Sequence, residues 1–223
     1  MANINISELF EIESQDTQGS YIKSNRQEMF SHMVSFDKEI GEPHLYRDLI
    51  HLLYMADDNV EFNLLLNSPG GNLSAAMAII EAIKNTEAMV RAVIIHECHS
   101  AASIIALNCH EIVVTDTAHM MIHTASYGSC GNTHGIQRHV DFSTKMINKM
   151  LQDTYSGFLN PNELGDVERG IDMWFDADEI RSRLLDQVAF KTAKAAVTAK
   201  AAISTAKAEV VSTTKRTPKT TKK

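Results

Sequence analysis

Cysteine is scarce in this chain. Cys98, Cys109 and Cys130 are odd in number and lack the spacing of a disulfide framework. That excludes a small disulfide-stapled scaffold and fits a reducing cytoplasm. No apolar run approaches the roughly 20 residues that a membrane-spanning helix needs. The opening Met1-Ala2-Asn3-Ile4-Asn5-Ile6-Ser7-Glu8 lacks the basic and apolar regions of a secretory signal, so a cytoplasmic location is expected. There is no Gly-x-x-x-x-Gly-Lys-Ser/Thr motif, so the chain itself is not expected to hydrolyse ATP. Seven of the ten histidines fall between His96 and His139. His96-Glu97-Cys98-His99 crowds its candidate ligands onto consecutive residues without recognised zinc spacing, so no metal is expected.

What is present suits one soluble domain. The chain has 223 residues and is 44% hydrophobic. Residues 1–190 suffice for a sizeable core. Charge is split along the chain. Residues 191–223 hold nine Lys or Arg and one Glu, a net of +8, so the remainder carries −15 against a total of −7. This tail is rich in Ala, Lys and Thr and low in bulky apolar groups, which predicts a disordered or fractionally helical segment beginning near Phe190. It reads either as an electrostatic tether to a polyanion or an acidic protein face, or simply as a solvated tail.

Three turns carry the candidate chemistry. Glu61-Phe62-Asn63-Leu64-Leu65-Leu66 reads as a buried strand that runs into Asn67-Ser68-Pro69-Gly70-Gly71. A buried helix over residues 73–83 follows and points free N–H groups back at the glycines. Val90-Arg91-Ala92-Val93-Ile94-Ile95 reads as a parallel strand. Beyond it, Ser100-Ala101-Ala102-Ser103 opens a helix over residues 101–107, and a serine at such a turn exposes its hydroxyl. His123 closes Met120-Met121-Ile122, after a strand at Glu111-Ile112-Val113-Val114-Thr115. Backbone donors, a hydroxyl and an imidazole on adjacent strand ends are the parts of an acyl-transfer site. Each also has an ordinary reading: a glycine-rich βα turn, a small packing serine, a satisfied core histidine.

The order Asn-Ser-Pro-Gly-Gly, Ala-Ala-Ser, Met-Ile-His resembles the Clp-type proteolytic subunit, a self-compartmentalising serine protease of the crotonase-like superfamily. The similarity runs from about Asp37 to Val188. It implies an α/β, crotonase-like spiral of βα units with a mainly parallel sheet and a long handle helix. It divides the chain into an N-terminal segment 1–36, a protease domain 37–190 and the tail 191–223. By this match Ser103 is the nucleophile, His123 the base and Asp172, in Ile171-Asp172-Met173-Trp174-Phe175, the orienting acid. Gly71 and the N–H of Ile104 fall at the oxyanion-hole positions. The resemblance further implies a homo-oligomer of stacked rings that degrades unfolded polypeptide, fed by a separate ATP-dependent AAA+ unfoldase, with no cofactor of its own.

The match has departures. The family's Gly-x-Ala-Ala-Ser is His99-Ser100-Ala101-Ala102-Ser103 here. The stretch between Val90 and Ser103 is longer than usual, and that between Ser103 and His123 is shorter. Ser100 is a competing hydroxyl that does not fall on the motif position. Residues 135–159 repeat apolar positions at helical spacing, from Ile136 and Val140 to Tyr155 and Phe158. They predict a long amphipathic helix, by resemblance the handle that interlocks two rings. Residues 127–131 before it would line the substrate channel. Asp176 with Glu179 predicts a capping box for a last helix. A dedicated processing protease of viral assembly, an inactive ring subunit and a crotonase-like acyl-CoA enzyme stand as alternatives to a degradative peptidase.

Overall fold

A computed structural model describes residues 30–214, with side chains through residue 198. Of the N-terminal segment, residues 1–29 lie outside the described residues. Its last seven form strand β1 (Phe30–Phe36), which runs parallel to β2 (Val60–Ser68) in a register from Phe30↔Val60 to Phe36↔Leu66. The sheet therefore starts before the boundary expected at residue 36.

Six strands form one sheet in the order β1-β2-β3-β5-β6, with β4 on β3. β3 (Met89–His99) pairs in parallel with β2, with β4 (Glu111–Val114) over its first half, and with β5 (His119–Ile122) over its last residues. Only β6 (Met173–Phe175) is antiparallel. Parallel strands need crossovers, and helices supply them: α1 (Arg47–Met55), α2 (Leu73–Asn85) and α3 (Ala101–Leu107). Burial alternates along β2 and β3: Phe62, Leu64, Leu66, Val90, Ala92 and Ile94 face the core, while Glu61, Asn63, Arg91 and Ile95 lie on the other, partly open face. Leu64, Leu66, Ile79, Ile83, Val90, Ile94 and Ile105 are fully buried, each contributing about 1.5–3 kcal/mol of apolar transfer. This is the mainly parallel α/β architecture expected from the sequence.

The long amphipathic helix is α4 (Thr133–Tyr155), capped by Asn132, whose side chain accepts from the Gly135 N–H. Its buried residues are Leu151, Thr154 and Tyr155 alone. Ile147 and Met150 pack partly against the core, while Phe142 is 63% and Met146 48% exposed on its outer turns. α5 (Pro161–Glu168) starts with a capping box between Asn160 and Glu163. The predicted box at α6 (Ala177–Thr214) is present: the Glu179 N–H donates to Asp176, and the Asp176 N–H to the Glu179 carboxylate.

α6 passes straight through the expected boundary near Phe190. The tail is helical as far as Thr214, in line with the helical half of that expectation, because Ala and Lys are strong helix formers and the segment is seeded by an anchored helix. The anchors are specific. Arg183 pairs with Glu163 through two nitrogens at 2.8 and 2.7 Å and lies 4.4 Å over the Phe175 ring. The buried Gln187 amide donates to the Thr154 carbonyl, and Lys191 to that of Leu107 at the C-terminus of α3. Residues 215–223 lie outside the described residues. Among the described residues, no helix is long and apolar enough to cross a membrane.

Candidate active site

The glycine turn after β2 is held from two sides. The Ile40 N–H donates to Gly70 O, and the Asn72 N–H donates to Ile40 O, both at 2.7 Å. The Ser68 hydroxyl donates to Lys38 O and accepts from the Gly70 N–H. In such a parallel bridge the middle residue turns its own N–H to the opposite side, so that of Gly71 is left for the site. Gly70 has φ +95°. A Cβ on it would come within 2.6 Å of both the His99 carbonyl and the Ser100 Cβ, and 3.0 Å from the Ala101 nitrogen. Glycine here lets the turn lie directly against the end of β3.

That end is a sharp elbow. β3 passes an irregularity opposite Asn67, whose side chain accepts from the Glu97 N–H. It then turns at Ser100 into α3. Ser100 has φ 52° and ψ −121°, and among the described residues no other non-glycine has positive φ. A serine in this strained strand-to-helix geometry is a nucleophile elbow. Its N–H donates to Met121 O at 2.8 Å, which docks the elbow on β5. The Ser100 hydroxyl meets His123 Nε2 at 2.7 Å.

The structure does not bring Ser103 and His123 together. Ser103 lies inside the first turn of α3, fully buried. Its hydroxyl donates to Ser100 O and bonds the Tyr155 hydroxyl, each at 2.7 Å, and does not reach His123. Ser103 lies in the helix and turns into the core, while Ser100, at the non-helical N-cap with φ 52°, presents its hydroxyl to the imidazole. Ile104 falls with it, because its N–H is committed to Ser100 O. The N–H that follows Ser100 is that of Ala101, the first residue of α3, which has no intrahelical acceptor. The sequence favours Ser103 over Ser100 because Ala101-Ala102-Ser103 reproduces the motif tripeptide. Two signals pointed to Ser100. The excess length before Ser103 and the deficit after it are both relieved by moving the nucleophile three residues towards the N-terminus. The position just before a buried helix is also where an elbow serine sits.

Asp172 stands one residue before Met173, which pairs with Ile122 in the β5–β6 ladder. Continuing that antiparallel register by one residue sets Asp172 opposite His123. Asp172 is exposed, and among the described residues it makes no hydrogen bond to the imidazole. Ser100, His123, Gly71 and Ala101 line one cavity of about 570 Å³, walled by Leu73, Ile104, Met121 and Met150. Ala125, Ser126 and Tyr127 form one lip. The segment bearing them folds back on α4, where the Tyr127 hydroxyl donates to Val140 O and Ser129 meets His139.

The histidine-rich stretch makes a ring cluster on the strands behind the elbow. His119 packs on His96 and His99 with centroids 4.5 and 4.9 Å away, and Trp174 is 5.2 Å from His99. Among the described residues, no group of three or more His, Cys, Asp or Glu is arranged to hold a metal ion. Burial pushes the His99 imidazole below its ordinary value. It also holds the Cys109 thiol up at about 12 and raises that of Cys98, so neither is a nucleophile at neutral pH.

A strained serine at the end of a parallel strand, a histidine on its hydroxyl and two backbone donors beside them are the working parts of a peptidase site. The family model of the Clp protease matches residues 18–192, and the chain belongs to that family.

Proposed function

We propose that the chain is a serine endopeptidase in which Ser100 is the nucleophile, His123 the base and Asp172 the acid that orients it. The observation that carries this reading is the 2.7 Å contact between the hydroxyl of the strained Ser100 and His123 Nε2. With its proton on Nδ1, the imidazole accepts the Ser100 proton as Oγ attacks a peptide carbonyl. The N–H groups of Gly71 and Ala101 receive the oxyanion. His123 then protonates the leaving amine, and water hydrolyses the acyl-enzyme by the reverse proton path. Asp172, opposite His123 in register, stabilises the imidazolium. Side chains and backbone do the chemistry without a cofactor, and ATP enters only through a separate unfoldase. A crotonase-like acyl-CoA enzyme would have no use for the Ser100–His123 pair.

The family is generally oligomeric with unfoldase partners, and we place this chain in closed, stacked rings of a reducing cytoplasm that degrade unfolded polypeptide. α4 supports this, since it leaves Phe142 and Met146 exposed on its outer turns. The basic tail, residues 191–223, supplies a contact for polyanions.

The test is a fluorophosphonate label followed by peptide mapping. The adduct is expected on Ser100. Ser100→Ala and His123→Ala should lose labelling and about a thousandfold or more in peptide turnover. An adduct on any other residue overturns the assignment.

A further inference from the structure

Resting on the assignment of Ser100 as nucleophile, the geometry points to Ser103 and Tyr155 as a positioning relay that holds Ser100 in its reactive conformation. A residue at φ 52° keeps that conformation only where its surroundings over-determine it. Both peptide groups of Ser100 are tied. Its N–H is bound to Met121 O on β5, the strand that delivers His123. Its C=O accepts from the Ser103 hydroxyl at 2.7 Å.

The order of donation follows from counting protons. Ser103 has one hydroxyl proton, and the Ser100 carbonyl can only accept, so that proton is spent there. The 2.7 Å bond between Ser103 and Tyr155 is therefore donated by the tyrosine. Tyr155 is itself fully buried, and burial keeps its phenol protonated. The result is a one-way chain from Tyr155 to Ser103 to the carbonyl of Ser100. Tyr155 closes α4, whose outer turns project from the domain. The relay thus ties the root of the projecting helix to the backbone of the nucleophile. Neither hydroxyl touches His123 or faces the cavity of about 570 Å³, so both act through Ser100.

Without the Ser103 hydroxyl the Ser100 carbonyl keeps only the helical N–H donors of Ser103 and Ile104, at 3.0 and 3.3 Å. Without the Tyr155 hydroxyl nothing holds Ser103 in the rotamer that donates to it. Either loosening lets Oγ leave the line to His123. Substrate binding, made by the cavity walls, is untouched. In the full chain, Ser103→Ala and Tyr155→Phe should each lower kcat on a short fluorogenic peptide about tenfold with KM within about twofold, the loss expected for one buried hydrogen bond of ordinary net strength. Because either change breaks the same chain, the double variant should be no slower than the slower single one. Leu53→Ala, a cavity in the buried packing of α1, serves as the control for a merely structural loss. It should lower the melting temperature at least as far with kcat unchanged. A wild-type kcat in either variant overturns the relay, as do multiplicative losses in the double or losses that track melting temperature as in Leu53→Ala. The fluorophosphonate adduct separates the two failures: an adduct on Ser103 overturns the nucleophile assignment and the relay together, whereas an adduct on Ser100 with wild-type rates overturns the relay alone.

Discussion

At Gly70 a side chain has nowhere to go, because the His99 carbonyl and the Ser100 Cβ already occupy the space a methyl would fill. Gly70→Ala must push the glycine turn away from the elbow, separating the Gly71 donor from Ser100. We expect kcat to fall about a hundredfold, the scale of an ångström's misplacement, while the chain still folds and its far-ultraviolet circular dichroism is unchanged. A variant with normal turnover would show that the two turns need not touch. His99 sets a different dependence. Burial, with His119 and His96 adding to it and Glu97 opposing, holds its folded pKa below the unfolded one. Between the two values the unfolded chain binds the extra proton, so stability falls as pH drops below about 6.5 and levels off beneath the folded value. Glu163 loses stability in the same direction, from a different cause and in a lower pH window. Arg183 lowers its pKa, so its contribution is lost only at more acidic pH. Urea midpoints of the wild type should fall between about pH 7.5 and about pH 5.5, and less so in His99→Phe. Equal falls in both would assign the effect to another group.

Among the elements, α4 and α6 are the two that outrun their own domain. α6 is anchored as far as Lys191 by Arg183, Gln187 and Lys191 itself. The family match also ends there, at residue 192. Beyond that point the helix follows composition. Truncation after Thr192 should leave cleavage of a short peptide within about twofold, since no group at the site is touched. It should weaken binding to heparin or DNA, most visibly at low salt. Loss of peptidase activity would make the distal helix part of the working enzyme. Cutting before Gln187 is a different experiment, because it removes the donor that the buried Thr154 carbonyl uses.

For the whole molecule, the question is what covers α4. A helix with 23 residues and three buried ones keeps its apolar face only if another chain packs on it. In the proposed closed ring a neighbouring subunit would supply that chain. Sedimentation of the wild type at micromolar concentration should therefore show a monodisperse oligomer. Phe142→Glu, which sets a charge in the exposed apolar stripe, should shift it to smaller species. A monomeric wild type would remove the assembly, and with it the compartment that limits access to the site.

The local pattern of residues was enough for the parallel sheet, the buried α2 and α3, the glycine turn and His123 at a strand end. Those follow from apolar runs, small residues and turn chemistry, which act over a few neighbours. The nucleophile was not legible in the same way. Ser100 and Ser103 are the same side chain three residues apart, and composition cannot say which one an elbow exposes. The choice was made by contacts between distant segments: Ser100 N–H on Met121, Gly70 against Ser100, and Tyr155 on Ser103, 52 residues away. The helical course of α6 past Phe190 is the converse case. The propensity of Ala and Lys was visible in the sequence, but a helix needs a nucleus, and the packed first turns of α6 provide it.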